Sequence, residues 1–384
     1  MELIAEGGLR SSFRWRTDVL EAYDGTEQRA KLSTLPRAMY AGAVFLEAAD
    51  LAYLRGLLAA DADAAFNLPL PFETTPSVNA ITGTTITISP TYVDWNVVGR
   101  VIYVRRPDGT AYTTTINTVG GGGATLTVDD SPPAGTWPAG HTMITPIESV
   151  QLEEGQTLSR WPMAAGRWQF AARQATARAL TGTGGTLTTY GGFDVLDRRP
   201  VMPILNEQLV AGVVFQDAGG AMSASSPWAI AKPRRQLDFA VIGPSQRQWW
   251  KAFLTARAGR LSTFLCPTWR NDLSLLTYTA GVASLTIDST YVDYIGRWWP
   301  SLAHRKLQVE FADGTIYYRT ISAATDLGAG VTELTVTAAM SGSPANVVAL
   351  SLLELARIDV DELSIEWDGN MVGRISVPIV VVQG

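Results

Sequence analysis

The chain of 384 residues predicts a mainly β protein: a tandem duplication of a β-sandwich-plus-helix domain, each copy with an inserted small β-barrel or sandwich domain. Three observations predict it. Short alternating runs are separated by turn residues, only two stretches have helical spacing, and a set of short motifs recurs in one order.

The clearer helix is 246–257. Ser245 after Pro244 is its expected N-cap and Gly259 its left-handed stop. Trp250, Phe253, Leu254 and Arg257 fall at helical spacing beside Trp249, an apolar stripe with a charged end. The stripe is expected to pack on the sheet of its own unit, with Leu265 beneath it. An apolar run of strand length, 261–266, is closed by Pro267, and Trp269-Arg270-Asn271-Asp272 follows. An aromatic at such a place either packs under a turn or meets a ligand.

The N-terminal half carries a weaker copy. Pro36-Arg37 leads into an extended run, 50–60 places Leu51, Leu54, Leu57 and Leu58 on one helical face, and 66–72 is extended with Pro69 and Pro71. The second half answers with Pro233-Arg234, a strand over 237–242, the Trp249 helix and 264–269. Further matches follow in order. Thr91-Tyr92-Val93-Asp94 recurs at Thr290-Tyr291-Val292-Asp293, and Asp108-Gly109-Thr110 at Asp313-Gly314-Thr315. Leu126-Thr127-Val128 recurs at Leu334-Thr335-Val336, and Gly166-Arg167 at Gly373-Arg374. Ordered matches at similar spacing are hard to obtain by accident. The expected units are 8–77 with 148–175 and 200–279 with 351–384. The inserted β domains are 78–147 and 280–350, and a Thr/Gly-rich connector spans 176–199. Asp108-Gly109 and Asp313-Gly314 mark hairpins. The run 377–382 is apolar on both faces, so it is either central in a sheet or covered by a partner.

Composition narrows the function. Net charge is −6, which argues against a basic nucleic-acid surface. Charged residues are 17% against 46% hydrophobic, with 12 tryptophans, so partner chains are expected to cover apolar surface. No stretch has the length of a membrane span and no signal peptide is visible, so a soluble protein made in a cytoplasm is expected. The single cysteine, Cys266, lies in an apolar run and reads as a buried inert thiol.

Catalytic constellations are thin. His141 and His304 are the only histidines and occupy unmatched positions, and no metal or nucleophile motif is present. Asp129-Asp130 precedes a proline turn. Asp359 and Asp361 alternate on an expected strand, either as a solvated edge or as a calcium contact. The glycine run 120–123 reads as a loop tip rather than a phosphate cradle. Glu27, Arg29, Lys31 and Arg37 form a charge cluster, either a solvated strand face or ion pairs to a neighbouring subunit.

The order strand, helix, then Gly259-Arg260, Phe264, Trp269 and Asp272 resembles the ring-forming domain of distal tail proteins of long-tailed (siphovirus-like) bacteriophages and of related hub subunits. Tyr23-Asp24-Gly25-Thr26-Glu27-Gln28-Arg29 through Pro36-Arg37 is similar to the opening of tail proteins of that class. The departure is the duplication, since the usual distal tail protein carries one ring domain. The resemblance implies a structural virion protein at the distal end of the tail, with no catalytic residue, cofactor or metal. Its expected partners are other copies of itself in a ring, the tail tube protein and the tail-tip hub protein. Three chains are favoured and six are the alternative. Viral DNA would pass the lumen without specific binding, and no membrane would be entered. The structural and interface candidates are Arg29, Arg37, Trp249, Trp250, Phe253, Arg257, Trp269, Arg270 and Asp272. Two other classes stay open: a carbohydrate-binding, receptor-binding β-protein of the tail that stacks sugars on its aromatics, and a cell-wall hydrolase.

Overall fold

The computed structural model describes residues 4–5, 8–60, 65–91, 93–153, 156–160, 165–176, 186–201, 207–218, 221–226, 231–369 and 371–382. It is mainly β, and its strands pair antiparallel throughout. No helix among these residues is long and apolar enough to cross a membrane.

The fold is organised around one antiparallel ribbon of eight strands. Their order is Glu207–Val210, Lys232–Ile242, Val372–Val381, Glu362–Trp367, Leu9–Arg14, Arg37–Glu47, Ala165–Gln174 and Thr157–Arg160. Alternation decides its faces. Leu237, Phe239 and Val241 are buried, whereas Arg234, Gln236 and Asp238, on the alternate positions of the same strand, are exposed. Val372–Val381 is interior to the ribbon, so its two-sided apolar end belongs to a central strand.

Two helices lie on the apolar face. Helix α1, Ala48–Ala60, starts where Arg37–Glu47 ends, and α2, Gly243–Arg257, starts where Lys232–Ile242 ends. The expected cap at Ser245 is displaced. Helix α2 begins at Gly243 with Pro244 in its first turn, and the Ile242 N–H donates to Gln246 Oε1 at 2.9 Å. At the other end Ala258 already adopts φ 49°, one residue before the expected stop, and Gly259 follows at φ 70°. A Cβ on Gly259 would lie 2.6 Å from Asp361 Oδ1, so the glycine serves close approach as well as the turn.

Trp249, Trp250 and Phe253 fill the main core against Phe239 and Phe264, with ring centroids 4.9–5.1 Å apart. Phe264 and Cys266, rather than Leu265, lie beneath the stripe. Strand alternation turns Leu265 to the opposite face, where it packs with Val195 and Leu353.

Under the ribbon, Phe66–Pro69 pairs with Met143–Leu152, and Phe264–Pro267 with Val347–Ile358. The first pair continues into Thr85–Thr87, Val101–Arg105, Ala111–Gly120 and Thr125–Val128 around Trp95, Ile102, Ile116 and Trp137. The second continues into Ser274–Tyr278, Ser284–Asp288, Lys306–Phe311, Ile316–Gly328 and Val331–Val336 around Leu285, Tyr294, Leu307 and Leu334.

Registers recur between the two runs. Val150 faces Phe66 and Gln174, and Ala356 faces Phe264 and Val381. Gly166 faces Leu46, and Gly373 faces Val241. Ile86 faces Leu126, and Leu285 faces Leu334. Ile116 faces Val128, and Ile321 faces Val336. The same registers set Met39, opposite Arg173, beside Arg234, opposite Val380. Arg37 therefore corresponds to Lys232, and the two Pro-Arg pairs are two residues out of step.

Several segments differ from expectation. Only Phe66–Pro69 is a strand, because Pro71 starts a 3-10 turn over Pro71–Glu73. Asp359 and Asp361 lie in the turn between Val347–Ile358 and Glu362–Trp367, not on a strand. The Asp361 carboxylate accepts from the N–H groups of Thr17 at 2.8 Å and Arg260 at 3.1 Å. Within the expected connector, 177–185 lies outside the described residues. Beyond it Val195 and Leu196 are buried, and Val195 bridges to Leu265.

Candidate assembly interface

The two helix-bearing runs meet at a junction inside the chain. Leu9–Arg14 has both edges paired, one with Arg37–Glu47 and one with Glu362–Trp367. Phe13 faces Leu363 there, and both are buried. Trp367 Nε1 donates to Ser11 Oγ at 2.9 Å, and its ring stacks on Phe72 with centroids 5.1 Å apart and 3° between planes.

Helix α2 supplies the charged part of this junction. Lys251 Nζ meets Glu73 Oε1 at 2.5 Å and Asp94 Oδ2 at 2.8 Å, and all three side chains are buried. Arg247, also buried, donates to the Phe72 carbonyl. Such groups are costly to desolvate and tolerable only when paired, so this face of α2 is built to be covered.

The hairpin Thr17–Glu21/Glu27–Lys31 clasps the same junction. The Glu27 carboxylate accepts from Arg357 Nε at 2.7 Å and Nη2 at 3.0 Å. Lys232 Nζ reaches Glu21 at 2.5 Å and Glu27 at 3.5 Å. Burial alone would raise the Glu27 pKa, but the Arg357 hydrogen bonds and the Arg357 and Lys232 charges outweigh it and hold the carboxyl below its ordinary value. Arg29 Nη1 donates to the Leu261 carbonyl at 3.0 Å. The partners recorded for Glu27 and Arg29 thus lie in this same chain.

The other candidates divide by burial. Trp249, Trp250 and Phe253 are core residues. Arg257 is buried, donating to the Thr263 carbonyl and the Asp194 carboxylate; burial lowers its pKa and Asp194 opposes this in part. Trp269 sits at φ 50° in the turn after Phe264–Pro267 and packs edge-on to Phe239. Asp272 accepts from Thr268 Oγ1 and from the Leu352 N–H, and burial raises its pKa. Arg270 and Arg37 face solvent more. Arg270 Nη1 meets Glu207 at 3.1 Å, and Arg37 is exposed at the start of its strand. Cys266 is fully buried and burial pushes its thiol up.

Sequence reading missed Lys251, Glu73, Asp94 and Trp367. The signal was present in one case: Arg247, Gln248 and Lys251 form a second helical face beside the aromatic stripe. Asp94 stands out only as the end of a recurring motif and Glu73 not at all, and nothing near either marks the pairing, because their partner is more than 150 residues away.

The ribbon also has two unfilled ends. Among the described residues, Thr157–Arg160 pairs only with Ala165–Gln174, and Glu207–Val210 only with Lys232–Ile242. Beside the first end, a groove of about 490 Å3 runs between α1 and Leu158, lined by Leu51, Ala52, Arg55, Gly56 and Ala59.

A scan of protein-family models gives no match to the chain, and a search of curated proteins finds no similar sequence.

Proposed function

We propose that the chain is a structural ring subunit of the distal end of a long-tailed phage tail, residing in the virion and joining the tail tube to the tip. It is a tandem duplication, each copy a ring-type β unit carrying an inserted β domain. Its partners are further copies of itself, three in the favoured ring and six in the alternative, with the tube protein and the hub on either side. Its role is structural, with no catalytic residue, cofactor or metal. DNA passes its lumen without base-specific contacts.

One observation carries this reading: four strands in one order occur twice along the ribbon, which among the described residues then stops at two free edges. A repeat that ends open is the building block of a ring. Two further facts support it. The ribbon face away from the helices is polar, with Arg10, Gln169, Gln236, Asp238, Glu366 and Arg374 exposed, as a water-filled channel needs. Trp15, Trp95, Trp137, Trp168 and Trp367 are buried, so they offer no stacking platform to a sugar.

Electron microscopy and native mass spectrometry of the full chain, alone and with the tail tube protein of the same phage, test the reading. The expected result is a ring with a central channel that caps tubes. A chain that forms no ring and ignores the tube would sink it, and binding of cell-wall sugars would favour the receptor-binding alternative.

A further inference from the structure

We propose that the two free edges of the ribbon are the halves of one contact between copies of this chain. Glu207–Val210 of one copy pairs antiparallel with Thr157–Arg160 of the next. The groove beside α1 receives the turn that follows Phe264–Pro267 in the incoming copy. This rests on the reading of two equivalent units and extends it to named atoms.

The junction inside the chain is the template. There Ser11 faces Ile365, Ser12 faces Ser364 and Phe13 faces Leu363. Ser11 also faces Tyr40, and Glu207 faces Arg235, the register counterpart of Tyr40. Leu158 faces Trp168 as Ile365 faces Ile375. Carried to the free edges, the same register sets Glu207 opposite Leu158, Gln208 opposite Thr157 and Leu209 opposite Gln156.

Exposure follows this prescription. Phe13 is 4% exposed, whereas Leu209, its counterpart, is 66% exposed. Counted from the helix starts, Arg247, Gln248 and Lys251 correspond to Ala52, Tyr53 and Gly56. The α2 set is buried, with Gln248 at 0%, while Tyr53 is 68% exposed and Ala52 and Gly56 are open. Small residues at these places leave the groove. Inside the chain the equivalent place holds Phe72 and Glu73. Counted from Pro69 and Pro267, their counterparts are Arg270 and Asn271, beside the free Glu207–Val210 edge.

The clasp repeats the pattern. Buried Lys232 takes its acids from the hairpin Thr17–Glu21/Glu27–Lys31, whereas its counterpart Arg37 is exposed. The corresponding hairpin, Val214–Ala218/Ala221–Ser225, pairs only with itself among the described residues, and Phe215 on it is exposed.

Edge strands with unpaired N–H and C=O groups invite pairing, and closure of the ribbon on itself through copies removes every edge at once. The contact is head-to-tail, so it repeats until rotation closes it.

The test uses the full chain with cysteines placed opposite one another. Residues directly opposite on antiparallel strands lie within disulfide reach. Ser12→Cys with Ser364→Cys is the internal control and forms a bond within one chain. Thr157→Cys with Gln208→Cys is expected to form covalent multimers that end at the closed ring. Leu209→Lys is expected to raise the concentration of half-assembly about tenfold or more at an unchanged melting temperature. Assembly that persists in Leu209→Lys, without the 157–208 bond, overturns the edge contact while leaving a ring in place. A wild-type chain that stays monomeric overturns both contact and ring. A control bond that fails to form intramolecularly overturns the template register itself.

Discussion

Helices α1 and α2 leave their ribbon strands at the same point, yet one has a single covered face and the other has two. Helix α1 is the more apolar in sequence, with Leu51, Leu54 and Leu58 turned inward and Ala52, Tyr53, Arg55 and Gly56 exposed. Helix α2 carries two charged residues, Arg247 and Lys251, in its middle, and it is the more completely buried. The difference teaches that mean apolarity does not rank burial. A charged side chain goes inside when another element brings it a partner, and α2 has one because the first run of strands packs across it.

The sharpest way to break this comparison is to remove the groups that only α2 covers. Phe253→Ala should cost about 3–5 kcal/mol in urea unfolding, as a large cavity in a closed core. Leu58→Ala, half-buried on α1, should cost less than about 2 kcal/mol. Equal losses would mean that α1 is covered as fully as α2.

Lys251→Met attacks the second face of α2. It leaves Glu73 and Asp94 buried without their ammonium, and the expected loss is about 3–5 kcal/mol. Gly56→Ala is its counterpart. A Cβ at Gly56 meets nothing within 4 Å, and alanine is the better helix former by about 0.8–1.0 kcal/mol, so this variant should be more stable in urea. A destabilised Gly56→Ala would show that the groove is already filled in the single chain.

The architecture was legible where it is local. Alternating runs, the Asp-Gly turns and the stripe of Trp250 and Phe253 announce their structure within a few residues. Both Asp-Gly sites are hairpin turns as expected, and in each the aspartate caps the turn, Asp108 Oδ1 accepting from Thr110 N–H and Asp313 Oδ1 from Thr315 N–H, each at 2.9 Å. The junction was not legible. Glu27 and Arg357 are 330 residues apart, and nothing near either marks the other. The two Pro-Arg pairs stand two positions apart in strand register, which strand pairing shows and the sequence alone does not. Of the interface candidates, Arg270 lies beside the open edge, where it meets Glu207, and Arg37 is exposed at the start of its strand, away from the groove. Trp249, Trp250 and Phe253 were marked by bulk alone, which core and interface share.

The smallest effect separates Lys232 from Arg37 through Glu27, which Lys232 meets at 3.5 Å beside Arg357. The Glu27 carboxyl titrates below its ordinary value in the folded chain. Its contribution to stability is therefore present above the ordinary glutamate pKa of about 4.5, and is lost as pH falls through the folded value. Glu27→Gln should melt lower than wild type at pH 7, and the gap should narrow as pH falls from about 4.5 and close below the lowered folded value, where both chains are uncharged at this position. Arg37→Gln, which removes an exposed guanidinium, should follow the wild-type curve across that range in the unassembled chain. Melting curves between pH 7 and about 3.5 read both variants. A Glu27→Gln gap that persists unchanged at low pH would assign its loss to packing, and a clear Arg37→Gln loss at neutral pH would show that Arg37 already has the partner that the free end of the ribbon is expected to lack.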